Sequence, residues 1–267
     1  MEINLSIITI VAYLALGAAA GIIGGLLGLG GGIIIVPVLL FLFIQQGLPA
    51  EILMHMAVAT SLATIIFTSA SSAWAHHRHG AVRWPTVSLL APGIVAGCIV
   101  GAFVADQLKS DYLRVAFGIF EILVALQIGF NIKPSGKRTL PGKGATLVVG
   151  GGIGTLSTLL GIGGGTLTVP FLLWCNENIR NAVATSSACG LPIAVAGTAG
   201  MIVAGWSHSA IPAGSTGYVY WPAAISIVVI SVLTAPLGAR LAHTLPVNTL
   251  KKIFAIVIGM IGIRMLV

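Results

Sequence analysis

Charge is what this sequence has least of. Only 7% of its 267 residues are Asp, Glu, Lys or Arg, against roughly 25% in soluble domains. So few charges cannot cover a water-facing surface, and a soluble globular fold is excluded. No charged residue occurs between Glu2 and Glu51, and none between Arg180 and Arg240. A helix crosses a bilayer with about 20 apolar residues, so each of these runs holds more than one membrane segment.

Several chemical signatures are missing as well. Cys98, Cys175 and Cys189 are odd in number and have no CxxC spacing, which argues against a disulfide framework or a metal site and reads as reduced packing residues. No Gly-Lys-Ser/Thr follows the glycine-rich stretches, and no soluble βαβ context surrounds them, so neither a Walker loop nor a dinucleotide fingerprint is present. Gly-x-Ser-x-Gly, His-Glu-x-x-His and paired-Asp motifs are absent from the apolar segments. The expectation is a protein that is not an enzyme and needs no cofactor or metal. Met1-Glu2-Ile3-Asn4 lacks the basic stretch and cleavage site of a signal peptide, so the first segment is read as retained.

What is present is an internal repeat. Leu26-Leu27-Gly28-Leu29-Gly30-Gly31-Gly32 with Val36-Pro37 recurs as Leu159-Leu160-Gly161-Ile162-Gly163-Gly164-Gly165 with Val169-Pro170. Ala57-Val58-Ala59-Thr60-Ser61 returns as Ala182-Val183-Ala184-Thr185-Ser186, Trp84-Pro85 as Trp221-Pro222, and Leu113-Arg114 as Leu250-Lys251. Four matches in one order imply duplication. The halves are residues 1–131 and 145–267, joined by a polar linker at 132–144 that the positive-inside tendency puts in the cytoplasm.

The hydrophobic pattern predicts an all-α membrane protein with segments near 5–28, 31–45, 51–75, 84–105 and 112–131, then 145–161, 164–176, 181–205, 219–241 and 248–266. As one helix, residues 5–43 would run about 58 Å, twice the hydrocarbon core of about 30 Å. Two crossings, or a hairpin that enters and leaves on one side, both make the crossings per half odd, so the second half is inverted. Charge agrees. Inversion puts Arg78, Arg83, Lys133, Lys137, Arg138, Lys143, Arg180, Arg240, Lys251 and Lys252 inside, and only Lys109, Arg114 and Arg264 outside.

A glycine triplet at membrane depth is tolerable where it is buried in protein or lines a polar cavity. Gly30, Gly31 and Gly32, and again Gly163, Gly164 and Gly165, are therefore expected to break a helix and start another. Its first amides and dipole suit an anion. The competing reading is close helix packing, which Gly17/Gly21 and Gly97/Gly101 are expected to serve. The hydroxyls of Thr60, Ser61, Thr185 and Ser186 either complete an anion shell or bond back to their own helix. Glu121, mid-segment, is the proton-coupling candidate, or else it pairs with Gln127 or Arg264. His76, His77 and His79 read as an interfacial loop, with pH sensing or metal binding as the rarer use.

The two glycine motifs, each followed by an Ala-Val-Ala-Thr-Ser element and a Trp-Pro helix opening, resemble the TauE/SafE family of sulfite exporters over nearly the whole chain. That resemblance implies a bacterial inner-membrane permease, multi-pass, for sulfur-containing anions such as sulfite, sulfoacetate or other organosulfonates, usually described with about eight helices. The ten segments counted above reduce to eight if the short pieces after the glycine runs are half-helices. The expected partners are a small sulfur anion and the lipid bilayer, with no nucleic acid and with homodimerisation left open. An anion channel, or a carrier of another small anion, is the alternative.

Overall fold

The computed structural model describes residues 7–27, 31–130, 140–244 and 247–267. Within the lipid core a backbone must satisfy itself, and a single helix does so. The first half forms α1 (Ile7–Leu27), α2 (Gly32–Gln45), a 3₁₀ turn (Ala50–Ile52), α3 (Leu53–Arg78), α4 (Trp84–Gln107) and α5 (Ser110–Gly129). The second forms α6 (Lys143–Leu160), α7 (Gly165–Trp174), α8 (Ile179–Ala204), α9 (Trp221–Thr244) and α10 (Val247–Leu266). Each expected segment has its helix. Residues 131–139, most of the expected linker, lie outside the described residues.

Local chemistry sets the ends. Pro85 and Pro222 sit in the first turn of α4 and α9, where a missing N–H breaks no helical bond. Asn178 caps α8 by accepting the Asn181 amide at 2.9 Å. Gly161 ends α6 in the left-handed region at φ 65°, and Gly31 precedes α2 at φ 78°, a conformation a side chain would strain.

The halves interlock reciprocally. α1 lies along α9, with Gly17 against Ile227 and Gly21 against Ser231. α4 lies along α6 in the same way, with Gly97 against Gly151 and Gly101 against Thr155. Numbers rise together in both pairs, so these helices run parallel. The repeat counterparts α3 and α8 run antiparallel: Leu62 meets Gly197, Ser69 meets Gly190, and Ser72 donates to Ser187 Oγ at 3.2 Å. α5 and α10 do likewise, Gly118 meeting Gly262 and Gly129 meeting Ala255. Exchanging the halves reproduces the same pairings.

Burial ranks the helices. In the apolar window of α3, 78% of residues are buried, against 28% for α1 and for α5, so α3 is central and the others peripheral. Outward faces carry Phe103, Leu123, Val203 and Leu233, all substantially exposed, which suits lipid. Among the described residues five helices are long and apolar enough to cross a membrane, and the protein is a multi-pass membrane protein. α1 and α2 form a hairpin whose open ends meet, because Gln46 Nε2 donates to the Tyr13 hydroxyl at 2.6 Å.

One element was not expected. A small antiparallel hairpin, β1 (Ser215–Thr216) with β2 (Val219–Tyr220), connects α8 to α9. Its Tyr218 and Tyr220 are buried.

Candidate substrate site

The two helix breaks meet inside the molecule. A Cβ on Gly32 would stand 2.6 Å from the Gly161 carbonyl oxygen and 3.1 Å from Ile162 Cα. Thus the start of α2 packs on the turn that ends α6. Gly161 in turn sits on the backbone of Val58 in α3, and Ser61 Oγ donates to its carbonyl at 2.8 Å. Gly164 lies on α8, where an added Cβ would come 2.5 Å from the Ser186 carbonyl. Gly31, Gly32 and Gly161 to Gly165 are all buried. Gly30 lies outside the described residues.

Close packing and helix termination coincide at these glycines. Close approach of backbones holds Gly32 and Gly164 in place, as it does Gly17, Gly21, Gly97 and Gly101. The same approach brings the start of α2 to the turn that leads into α7. The first amides of each of these helices lack an intrahelical acceptor.

The Thr-Ser pairs divide their work. Thr60 Oγ1 accepts the Tyr220 amide at 3.0 Å, and Thr185 Oγ1 accepts the Arg83 amide at 3.0 Å. Tyr220 and Arg83 each immediately precede a Trp-Pro helix opening in the opposite half. Each threonine keeps its own hydroxyl proton for another acceptor. Ser61 gives its proton to Gly161, and Ser186 gives its proton to the Val183 carbonyl at 2.9 Å, three residues earlier on its own helix.

Glu121 is fully buried on α5 against Gly262 of α10, and neither carboxyl oxygen finds a partner. Gln127 and Arg264, the partners weighed from sequence, do not bond to it. Arg264 lies instead over the Phe41 ring, 5.6 Å from its centre. Trp84 Nε1 donates to His77 Nδ1 at 3.0 Å, which ties the histidine stretch to the opening of α4. Among the described residues no group of three or more His, Cys, Asp or Glu is placed to hold a metal ion.

Other polar residues emerged only in three dimensions. Ser157, Thr166 and Thr168, around the second break, are buried hydroxyls without partners. The contrast of Thr166-Leu167-Thr168 with Ile33-Ile34-Ile35 at matching positions was the available signal. At the other end of α3, Tyr218 donates to Asp106 at 2.7 Å and its ring stacks on His55 at 5.0 Å. His55 Nε2 faces the carbonyls of Ala105 and Leu108 at 2.9 and 3.0 Å. Two carbonyl acceptors place a proton on Nε2, and Nδ1 has no partner.

Comparisons with known proteins agree with this architecture. The chain is 37% identical over 257 residues to a probable membrane transporter protein of Haemophilus influenzae, covering 96% of this chain and 97% of that one. It is 31% identical over 276 residues to the probable membrane transporter protein YunE of Bacillus subtilis, at 96% and 97% coverage. A probable membrane transporter protein of Methanocaldococcus jannaschii is 28% identical over 258 residues, covering 94% of this chain and 92% of that one. No solved structure matches. The family model described as "Sulfite exporter TauE/SafE" matches residues 13–265. A multi-pass helical membrane protein with this match belongs to the TauE/SafE sulfite exporter family of membrane transporters.

Proposed function

We propose that this transporter is a secondary carrier that exports a small sulfur-containing anion, sulfite or an organosulfonate, across the bacterial cytoplasmic membrane. The observation that carries the reading is the meeting of the two helix breaks, Gly32 against Gly161 and Ile162, in a buried centre. The anion is held by amides of Gly30 to Gly32 and Gly163 to Gly165, with hydroxyls of Thr60, Ser61, Thr185 and Ser186 around it. Ser61 and Ser186 release their carbonyl acceptors when the anion arrives.

The halves, 1–131 and 145–267 with a cytoplasmic linker, act as inverted repeats that rock to alternate access. The antiparallel runs of α3 on α8 and of α5 on α10 support inversion, because each helix there faces its own repeat counterpart. Burial of every described residue at the breaks favours a carrier over a continuously open channel. A dianion in such a place is costly. Glu121, buried without a cation beside it, is the group we assign to proton coupling.

The test is flux of labelled sulfite, thiosulfate, sulfoacetate and taurine into proteoliposomes loaded with unlabelled anion. Saturable counterflow of one of these supports the carrier and names its substrate. Conductance without counterflow makes it a channel. Movement of none removes the sulfur-anion assignment.

A further inference from the structure

The halves differ where equal anion contacts would need them alike. The first glycine run leads into Ile33-Ile34-Ile35, the second into Thr166-Leu167-Thr168. Ile33 and Ile35 are buried apolar side chains, whereas Thr166 and Thr168 are 6% and 0% exposed and neither hydroxyl has a partner. Ser157, one turn before the second break, is likewise buried and unpartnered, and its counterpart is Gly24.

Unpartnered buried hydroxyls are unfavourable, and a valine of nearly the same shape avoids the penalty. Several helix hydroxyls bond back to their own helix: Thr64 to the Ser61 carbonyl, Ser186 to Val183 and Thr234 to Ile230. Thr158 and Thr198, like Thr166 and Thr168 at the second break, are instead buried without partners. Thr168 donates its amide to the Gly164 carbonyl at 2.8 Å, the first bond of α7. Helical side chains lean toward the helix start, so its hydroxyl is carried over the turn whose amides have no intrahelical acceptor. Donors of both kinds therefore gather at one end of one helix.

We infer that the anion binds asymmetrically, at the start of α7, with the Thr166 and Thr168 hydroxyls as donors that set affinity for an oxyanion. Such a ligand accepts hydrogen bonds through several oxygens, which matches buried hydroxyls free to donate. On the α2 side Ile33 and Ile35 are apolar, so that side offers backbone amides but no hydroxyls. This rests on the proposed sulfur-anion carriage.

Thr166→Val, Thr168→Val, the double variant and Thr168→Ser are compared with the unaltered protein by labelled-sulfite counterflow and by thermal unfolding without anion. The expected result is a KM raised about tenfold per hydroxyl lost, with maximal rate retained and Thr168→Ser near the original. Melting temperatures of the valine variants stay level or rise, because no protein bond is removed. An unchanged KM in the double valine variant overturns the asymmetric site. So does a fall in melting temperature in every valine variant, which would mean that the hydroxyls serve the fold. Failure of the unaltered protein to move any of sulfite, thiosulfate, sulfoacetate and taurine overturns the underlying sulfur-anion reading instead.

Discussion

Thr185 of α8 accepts the backbone amide of Arg83 at 3.0 Å, joining the second half to the residue that opens α4 in the first. Thr60 does the same for Tyr220 at the opening of α9. Two equivalent bonds thus staple the halves together, each from a Thr-Ser motif to the other half's Trp-Pro motif.

Removing either acceptor leaves a backbone amide unpaired, buried at Tyr220 and part-buried at Arg83. Thr60→Val and Thr185→Val are each expected to lower stability by about 1–3 kcal/mol, with Thr→Ser at either site largely restoring it. Thermal unfolding in one detergent checks this. Equal stability of all four variants would show that the staples contribute nothing.

The glycine seams predict opposite signs for neighbouring substitutions. A Cβ at Gly97 runs into the Gly151 carbonyl, whereas nothing lies within 4 Å of one at Gly152. Gly97→Ala should destabilise by about 1–3 kcal/mol through overpacking. Gly152→Ala should stabilise by up to about 1 kcal/mol through helix propensity. The two melting temperatures, measured side by side, decide it.

Glu121→Gln keeps the shape of a buried side chain that has no partner, so folding should be little changed. If a proton travels through it, the dependence of flux on an imposed pH gradient disappears in the variant. Retention of that dependence would remove Glu121 from the coupling scheme.

Inversion of the repeats predicts opposite accessibility for two exposed positions, Ser209 beyond α8 and His79 beyond α3. An impermeant thiol reagent should reach Ser209→Cys only from outside the cell and His79→Cys only from the cytoplasm. Native thiols interfere little, because Cys98, Cys175 and Cys189 are all buried.

Tyr218 makes the connecting hairpin sensitive to alkali. Burial, then the Asp106 carboxylate that accepts its proton, hold this phenol above its ordinary value, which is about 10. A raised value in the folded protein means that the contribution is complete below about pH 10 and is lost as pH climbs beyond it. Tyr218→Phe should therefore flatten the alkaline fall in stability. A residual slope is expected from Tyr220, whose phenol burial also pushes up.

Much of the architecture was legible in one dimension. Ten apolar segments reappear as helices, and Gly31 and Gly161 stand at helix ends. The β1–β2 hairpin was not, since Ser215, Thr216, Val219 and Tyr220 form too short a run to carry any period. Nor was the division of labour within Thr60-Ser61, where adjacent hydroxyls bond to Tyr220 and to Gly161, 160 and 100 positions away.

Sequence alone determined the solvent, the duplication and the places where helices stop. Lipid penalises every stray charge and every unpaired amide, so these properties are written into composition and into the positions of glycine and proline. Only the tertiary structure decided which helices pair, that the two breaks touch, that Thr60 and Thr185 hold the opposite half, and that Thr166 and Thr168 are left without partners. A hydroxyl's partner depends on backbone brought near by packing from distant parts of the chain, and no local pattern encodes that distance.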